Sequence, residues 1–222
     1  MRAAWRHFWY RRRSRHPALT PYYRAERPQL GRDYREAPLL ALDLELTGLD
    51  PQRDRILSIA SVPIDGGRVQ LAHAWHQLVR IDGEVGQSCT IHGIRDRDMA
   101  QGLPLCEALT ELLPRLSGRV VICHNATLDR AFLRRGFLEC FGERPPLLFI
   151  DTLLLEQQRF ARRGATPHGD GLRLGSCRER YGLPVYPGHN ALVDAIACGE
   201  LLLAQCSEMA GRDPLKIGAL IA

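Results

Sequence analysis

The sequence predicts an α/β domain, a single mixed sheet flanked by helices, with a basic N-terminal arm. Three observations carry this prediction. An apolar run at 39–46 is followed by two more, joined through Asp65-Gly66-Gly67, and an Asp-Gly between apolar runs is a hairpin signal. From about residue 104, stretches with leucines at helical spacing alternate with short apolar runs, the order of a sheet with helices packed against it. Finally, 222 residues with a 45% apolar content suit one domain plus an extra segment. No apolar run approaches the roughly 18 residues of a membrane span, so no membrane partner is expected.

Residues 1–37 form the arm. They hold ten Arg against Glu26, Asp33 and Glu36, so the chain's net charge of +5 divides into an arm at +7 and a body at −2. Trp5, Phe8 and Trp9 have helical spacing, which predicts a short amphipathic helix followed by an extended, proline-containing linker. The arm lacks the apolar core of a secretory signal. It resembles a mitochondrial presequence only in having no acid before Glu26, and it contains a single Ser.

The body, 38–210, opens at Pro38 and leaves a C-terminal tail at 211–222. The first strand, 39–46, ends in Thr47-Gly48-Leu49-Asp50-Pro51, whose Gly and Pro break it. Strands at 55–64 and 68–79 follow, then a loop carrying Ile91-His92-Gly93-Ile94. A helix is expected at 104–116, where Leu105, Leu109, Leu112, Leu113 and Leu116 share a face. A buried strand at 119–123 leads into a helix to about 141, with Asn125 as its natural N-cap. A strand at 147–150, a helix start at Asp151-Thr152, a Gly- and Arg-rich loop at 162–171, a helix at 172–181 and a long helix at 190–209 complete the order.

Seven cysteines, scattered with no Cys-x-x-Cys pair, argue for reduced thiols and a cytoplasmic setting rather than a disulfide frame or zinc site. Cys89, Cys106, Cys123 and Cys140 recur every 17 residues, but their flanks share nothing, so the spacing is not a repeat.

The chemistry concentrates on the 39–46 strand. It is apolar except for Asp43 and Glu45, and successive strand side chains alternate faces, so both carboxylates project side by side. Each disfavours ionisation of the other, and burial worsens the conflict. A hard dication removes it. Asp129, early in the helix after Asn125, and Asp194, early in the last helix, can join them. His189 precedes Asp194 by five residues, about 140° around a helix. After Pro187-Gly188 it belongs to the entry loop and can fold back toward Asp194. Taken singly, each has a plainer reading: a helix-start acid favoured by the dipole for Asp129 and Asp194, a loop histidine for His189. For Asp151 and His124 the structural reading is preferred.

The joint order, Asp-x-Glu, then His-Asn-x-x-x-Asp, then His-x-x-x-x-Asp, resembles the DEDD-type 3′–5′ exonucleases with a histidine base. These are the family of the proofreading epsilon subunit, ribonuclease T and oligoribonuclease. The likeness extends over LTGLDPQRDRILSIASVPI, IHGI, VVICHNATLDRAFL, FIDTLLL and GHNALVDA. It implies a ribonuclease H-like fold and a DNA or RNA 3′ end as partner. Asp43, Glu45, Asp129 and Asp194 would hold two Mg²⁺ or Mn²⁺ ions, with Asp43 bridging, and His189 would be the general base. By the same likeness Thr47, Gly48 and Leu49 contact the terminal nucleotide, Ile91 and His92 flank it, and Asn125 and Leu128 join the substrate-binding set. Two positions depart from the family: Leu46 where a second Thr is usual, and Leu128 where an aromatic is usual. Leu46 is expected to point away from the carboxylate face. The competing readings are a nucleic-acid-binding module without catalysis and an accessory chain of a DNA polymerase.

Overall fold

The computed structural model describes residues 16–222 apart from 84, 86 and 87. Among these, seven strands form one mixed sheet in the order β5-β4-β2-β1-β6-β7, with β3 paired to β2. β1 (Leu39–Leu46) lies antiparallel to β2 (Ile56–Asp65), placing Asp43 opposite Ala60 and Glu45 opposite Ser58. On its other side β1 is parallel to β6 (Val120–Cys123), which is parallel to β7 (Phe149–Asp151). The three parallel strands therefore end at one edge of the sheet. β4 (Trp75–Arg80) pairs antiparallel with β2, and β5 (Leu103–Pro104) runs parallel to β4.

The helices described are α1 (Thr20–Arg24), α2 (Cys89–His92), α3 (Asp96–Met99), α4 (Leu105–Leu116), α5 (Ala126–Phe141), α6 (Thr152–Arg162), α7 (Leu174–Arg180) and α8 (Ala191–Ala210). The alternation of β1 separates two apolar layers. Leu40, Leu42 and Leu44 pack with Leu109, Leu112 and Leu113 of α4 and Phe132, Leu133 and Phe137 of α5. Leu39 and Ala41 pack with Ala195, Cys198 and Leu202 of α8. Leu46 joins the first layer, as expected from its parity. A Cβ on Gly199 would lie 3.1 Å from Ile64 Cδ1 and 3.2 Å from Ala41 Cβ, so the missing side chain is what lets α8 approach the sheet closely.

The hairpin signal is met. β2 turns into β3 (Arg68–Val69) through Gly66 and Gly67, whose φ values of 60° and 66° suit the mirror-image turn of a two-residue hairpin loop. The strand expected over 68–79 is interrupted by a 3₁₀ turn at Leu71–His73. Apolar pattern could not show this, because Leu71 is 61% exposed.

Two expectations are corrected, and the tail adds contacts that no pattern announced. The linker is not extended at 17–24: a 3₁₀ turn (Pro17–Leu19) leads into α1, and Leu19, Tyr22 and Tyr23 lie buried in the α4–α5 layer. The tail also packs. Asp33 bridges Lys216, Ile150 bridges Ile221, and Ile217 and Leu220 are buried in the α8 layer. The thiols are not all reduced: Cys106 of α4 and Cys140 of α5 form a disulfide, their Cα atoms 5.2 Å apart. That pairing depends on how two helices pack, which spacing alone does not reveal. Cys123, Cys177, Cys198 and Cys206 are free and buried. Trp5, Phe8 and Trp9 lie outside the described residues.

Because α8 carries Asp194, its seat on the sheet matters beyond packing. Gly199→Val is expected to lower stability by about 1–3 kcal/mol, the usual cost of overpacking. A urea melt reporting an unchanged midpoint would mean that α8 can shift without cost.

Candidate active site

The site lies at the edge where β1, β6 and β7 end. Asp43 and Glu45 project from the end of β1 on the face toward α8, whose first turn supplies Asp194. One ligand oxygen from each of these three carboxylates lies within 4.8 Å of the others. Asp129, one turn into α5 beyond the end of β6, is 6% exposed and acts on the Asp43 carboxyl. Asp43 is the common neighbour of this set, since Asp129, Asp194 and Glu45 all raise its pKa.

Burial raises the Asp43 carboxyl well above the usual carboxylate range, and the three neighbouring acids push it further. Glu45 is pushed up to about 7, first by burial and then by Asp194. Asp129 also rises to about 7 through burial, although a hydrogen bond from the Cys123 thiol opposes the shift. Asp194 is raised by burial too, against the pull of the backbone N–H groups it accepts from His189 (2.7 Å) and Asn190 (3.2 Å). Glu45 Oε1 is buried with no hydrogen-bond partner. An orphaned carboxylate oxygen beside two other acids suits a divalent cation, which hard oxygen donors hold.

His189 sits in the entry loop and is exposed, with a left-handed φ of 65°. The fold-back toward Asp194 is therefore present as a backbone hydrogen bond. Nearby, His92 ends α2. Its Nδ1 accepts from the Ile94 N–H, its Nε2 is buried without a partner, and burial and the neighbouring His189 lower its pKa. Ile91 and His92 thus occupy a short helix rather than a loop; the Ile91 side chain lies outside the described residues.

The 47–54 turn is organised by Asp54, which no pattern in the sequence singles out. Its Oδ1 accepts from the Thr47 hydroxyl (3.2 Å) and its Oδ2 from the Asp50 N–H (2.8 Å). A Cβ on Gly48 would meet that carboxylate at 2.5 Å, so any side chain there would displace Asp54 from the turn. Thr47 also accepts the Arg55 N–H, while Leu49 is 76% exposed beyond the turn. Arg135 of α5 secures the far side through the Pro51 and Asp54 carbonyls.

Asn125 is corrected as an N-cap. It takes a left-handed φ of 76°, and its side chain makes no capping bond. The β6–α5 turn is instead capped from the next strand. Asp151 Oδ1 accepts from the Asn125 N–H (3.1 Å) and Oδ2 from the Ala126 N–H (2.9 Å), while Oδ1 also caps α6 through Leu153. The helix-start reading of Asp151 holds, with a second helix added. His124 is structural too, its Nε2 on the Leu172 carbonyl and its Nδ1 against Thr152 Oγ1, both at 2.8 Å. Leu128 is half-buried against the α4–α5 layer.

A family model described as an exonuclease of the RNase_T type matches residues 40–202. The chain belongs to that exonuclease family. That family depends on divalent metal, and the carboxylate cluster is present here. Among relatives of the chain, a PolC-type DNA polymerase III of Thermotoga maritima is 34% identical over 172 residues. That match takes in 76% of this chain but 12% of the polymerase. The DNA polymerase III subunit epsilon of Treponema pallidum is 28% identical, over 72% of this chain and 73% of the subunit. In fold, the chain resembles exonuclease X in complex with 5′ overhanging duplex DNA (TM-score 0.61, 22% identity, 82% of this chain and 98% of the other). It also resembles a 3′-exonuclease bound to a histone mRNA stem-loop (TM-score 0.65, 14% identity, 81% and 66%).

The raised acids bear on the stability of the metal-free protein. The unfolded chain ionises these carboxyls near pH 4, whereas folded Glu45 and Asp129 hold their protons to about 7. The folded state thus binds more protons in this window, and stability present below pH 4 is lost as pH rises through 7. In EDTA the melting temperature is expected to fall across that range. Asp43→Asn, with one fewer buried carboxylate to ionise, should melt above the parent at pH 8; equal melting would contradict the repulsion.

Proposed function

We propose that the protein is a 3′–5′ exonuclease that removes nucleoside 5′-monophosphates from single-stranded or frayed ends with two divalent ions, Mg²⁺ or Mn²⁺. The observation that supports this best is the packing of Asp43, Glu45 and Asp194 within 4.8 Å, with a Glu45 oxygen left unpartnered and Asp129 acting on Asp43. Asp43 would serve both ions, Glu45 and Asp194 one, and Asp129 the other. Bound there, such ions would supply charge stabilisation to attacking and leaving oxygens and lower the pKa of a bound water.

The protein's own groups account for the rest. His189 is exposed at the mouth of the site and takes the proton of the attacking water. His92, with its buried free Nε2, lies beside it and would meet the terminal nucleotide. The Thr47–Leu49 turn, fixed by Asp54, would present its backbone and the exposed Leu49 to the last base. Asn125 and Leu128 would complete the substrate-binding set. With Leu128 packed toward the core, a stacking ring is absent there, and grip on the terminal base would be weaker by up to the roughly 1–3 kcal/mol of one stack.

A cytoplasmic place of action belongs to this reading, although the Cys106–Cys140 disulfide removes the cysteine argument for it. The second reading, an accessory chain of a polymerase, draws on the epsilon-subunit and PolC-type relatives. Copurification with a polymerase subunit would favour it; exonuclease turnover by the isolated chain would favour the first.

Labelled single-stranded DNA and RNA incubated with Mg²⁺, Mn²⁺ or EDTA test the activity directly. A ladder shortening from the 3′ end with metal, and none in EDTA, is expected. Asp43→Asn should abolish it, and near-parental turnover in that variant would remove the metal assignment. His189→Ala should lower kcat by roughly 10²–10⁴-fold with Mn²⁺ affinity retained.

The arm is the third part of the proposal. Residues 1–15 carry Arg2, Arg6, Arg11, Arg12, Arg13 and Arg15 and no acid, a charge of +6 beside a remainder at −1. They would attract the polyanion. Residues 16–37 belong to the packed body, so the test removes 1–15 only. KM is expected to rise far more than kcat falls. The salt dependence of binding should flatten by about 0.7 in slope for each single-strand phosphate that the arm no longer neutralises. An unchanged slope would deny the arm a binding role.

A further inference from the structure

We infer that Arg178, Tyr186 and Glu200 form a clamp that holds the loop carrying His189 in register with the carboxylates, making them positioning residues for the proposed base. The inference rests on the exonuclease reading of His189. Its basis is the geometry of the segment between α7 and α8.

Arg178 is 2% exposed, unusual for a side chain carrying a permanent charge. Each of its three nitrogens is engaged across this segment. Nη1 donates to the Ala197 carbonyl of α8 at 2.7 Å, and Nη2 donates to the Pro184 carbonyl at 2.9 Å and to Glu200 Oε2 at 2.8 Å. Nε adds a longer bond to Pro184 at 3.3 Å. The guanidinium lies over the Tyr186 ring, 4.4 Å from its centroid, and the Tyr186 hydroxyl donates to Glu200 Oε1 at 3.1 Å. One buried cation thus binds a loop carbonyl, a loop ring and two points on α8. A planar guanidinium can do this, because its donors are fixed in one fork.

The base sits three residues beyond this clamp. Tyr186 is held by Arg178 and Glu200, and His189 and Asn190 are held by Asp194 through their backbone N–H groups. Only Pro187 and Gly188 lie between the two anchors. Pro187 restricts φ, and His189 is already in the left-handed region at 65°. Both anchors sit on α8, at Asp194 on one side and at Ala197 and Glu200 on the other. The histidine's backbone is therefore tied to the same helix that carries a carboxylate of the site. Releasing the clamp frees one end of this short span, and a displacement of about 1 Å from a remote change can cost on the order of 10²-fold in rate.

A thermodynamic cycle tests this. Single-turnover rates with Mn²⁺ are measured for the full chain and for Arg178→Gln, Tyr186→Phe and Glu200→Gln, each alone and combined with His189→Ala. Glu200→Gln and Tyr186→Phe keep the shape of the clamp, so they report even if Arg178→Gln fails to fold. A clamp that acts through His189 predicts a lower rate in each single variant, about 10-fold or more, with KM and Mn²⁺ affinity near parental. It also predicts that the loss disappears in the His189→Ala background. Losses that multiply in the double variants, or no loss in any folded single variant, would overturn the inference. If His189→Ala alone leaves the rate unchanged, the base assignment itself fails and the clamp's role falls with it, an outcome distinct from multiplying losses.

Discussion

Like charges crowded on one face of a buried strand are the constraint on which the rest of this structure depends. Asp43 and Glu45 leave β1 on the same side, and α8 and the first turn of α5 bring Asp194 and Asp129 against them. In a metal-free site this is unfavourable at neutral pH, and the carboxyls respond by holding protons to about 7 at Glu45 and Asp129. Such a cluster is kept only if the surrounding packing over-determines it. The packing does so with two apolar layers: one under α4 and α5, the other under α8, where Gly199 lets helix and strand approach within van der Waals distance.

Around that cluster, buried or half-buried polar groups fix the loops that approach it. Asp151 caps two helices at once, so the turn that delivers Asp129 is tied to the neighbouring strand rather than to its own residues. Asp54 holds the turn at Thr47–Asp50 from inside, and Arg135 holds its outer carbonyls. Arg178 holds the opposite loop. Buried hydrogen-bonded carboxylates and guanidiniums are costly when left single. Their value here is that three loops around one site cannot slacken without leaving a charge unpaired.

The two departures from the family pattern fall on the same apolar layer. Leu46 and Leu128 both pack against the α4–α5 cluster, Leu46 on the side of β1 away from Asp43 and Glu45. They extend the core toward the end of the domain where the carboxylates lie. The N-terminal segment does the same from outside, with Leu19, Tyr22 and Tyr23 closing the layer that α4 and α5 form.

What the sequence determined by itself was local and periodic. Strand alternation placed Asp43 and Glu45 on one face and Leu46 on the other. Leucine spacing marked α4, and the glycines after Asp65 marked the hairpin, because these signals are set by neighbours along the chain. The order of acids in several motifs was also legible, and with it the family. Tertiary structure decided the rest. It decided that Asn125 would not cap its own helix, since Asp151 from the next strand takes the N–H groups at that turn. It decided that Cys106 would meet Cys140, which depends on the crossing of α4 and α5. It drew residues 17–24 and 217–220 into the core, where a basic, proline-containing segment and a short tail carry too few apolar residues to announce themselves. And it set Arg178 beneath Tyr186: a lone arginine in a helix has no sequence pattern, and only the folded chain can show which carbonyls it binds.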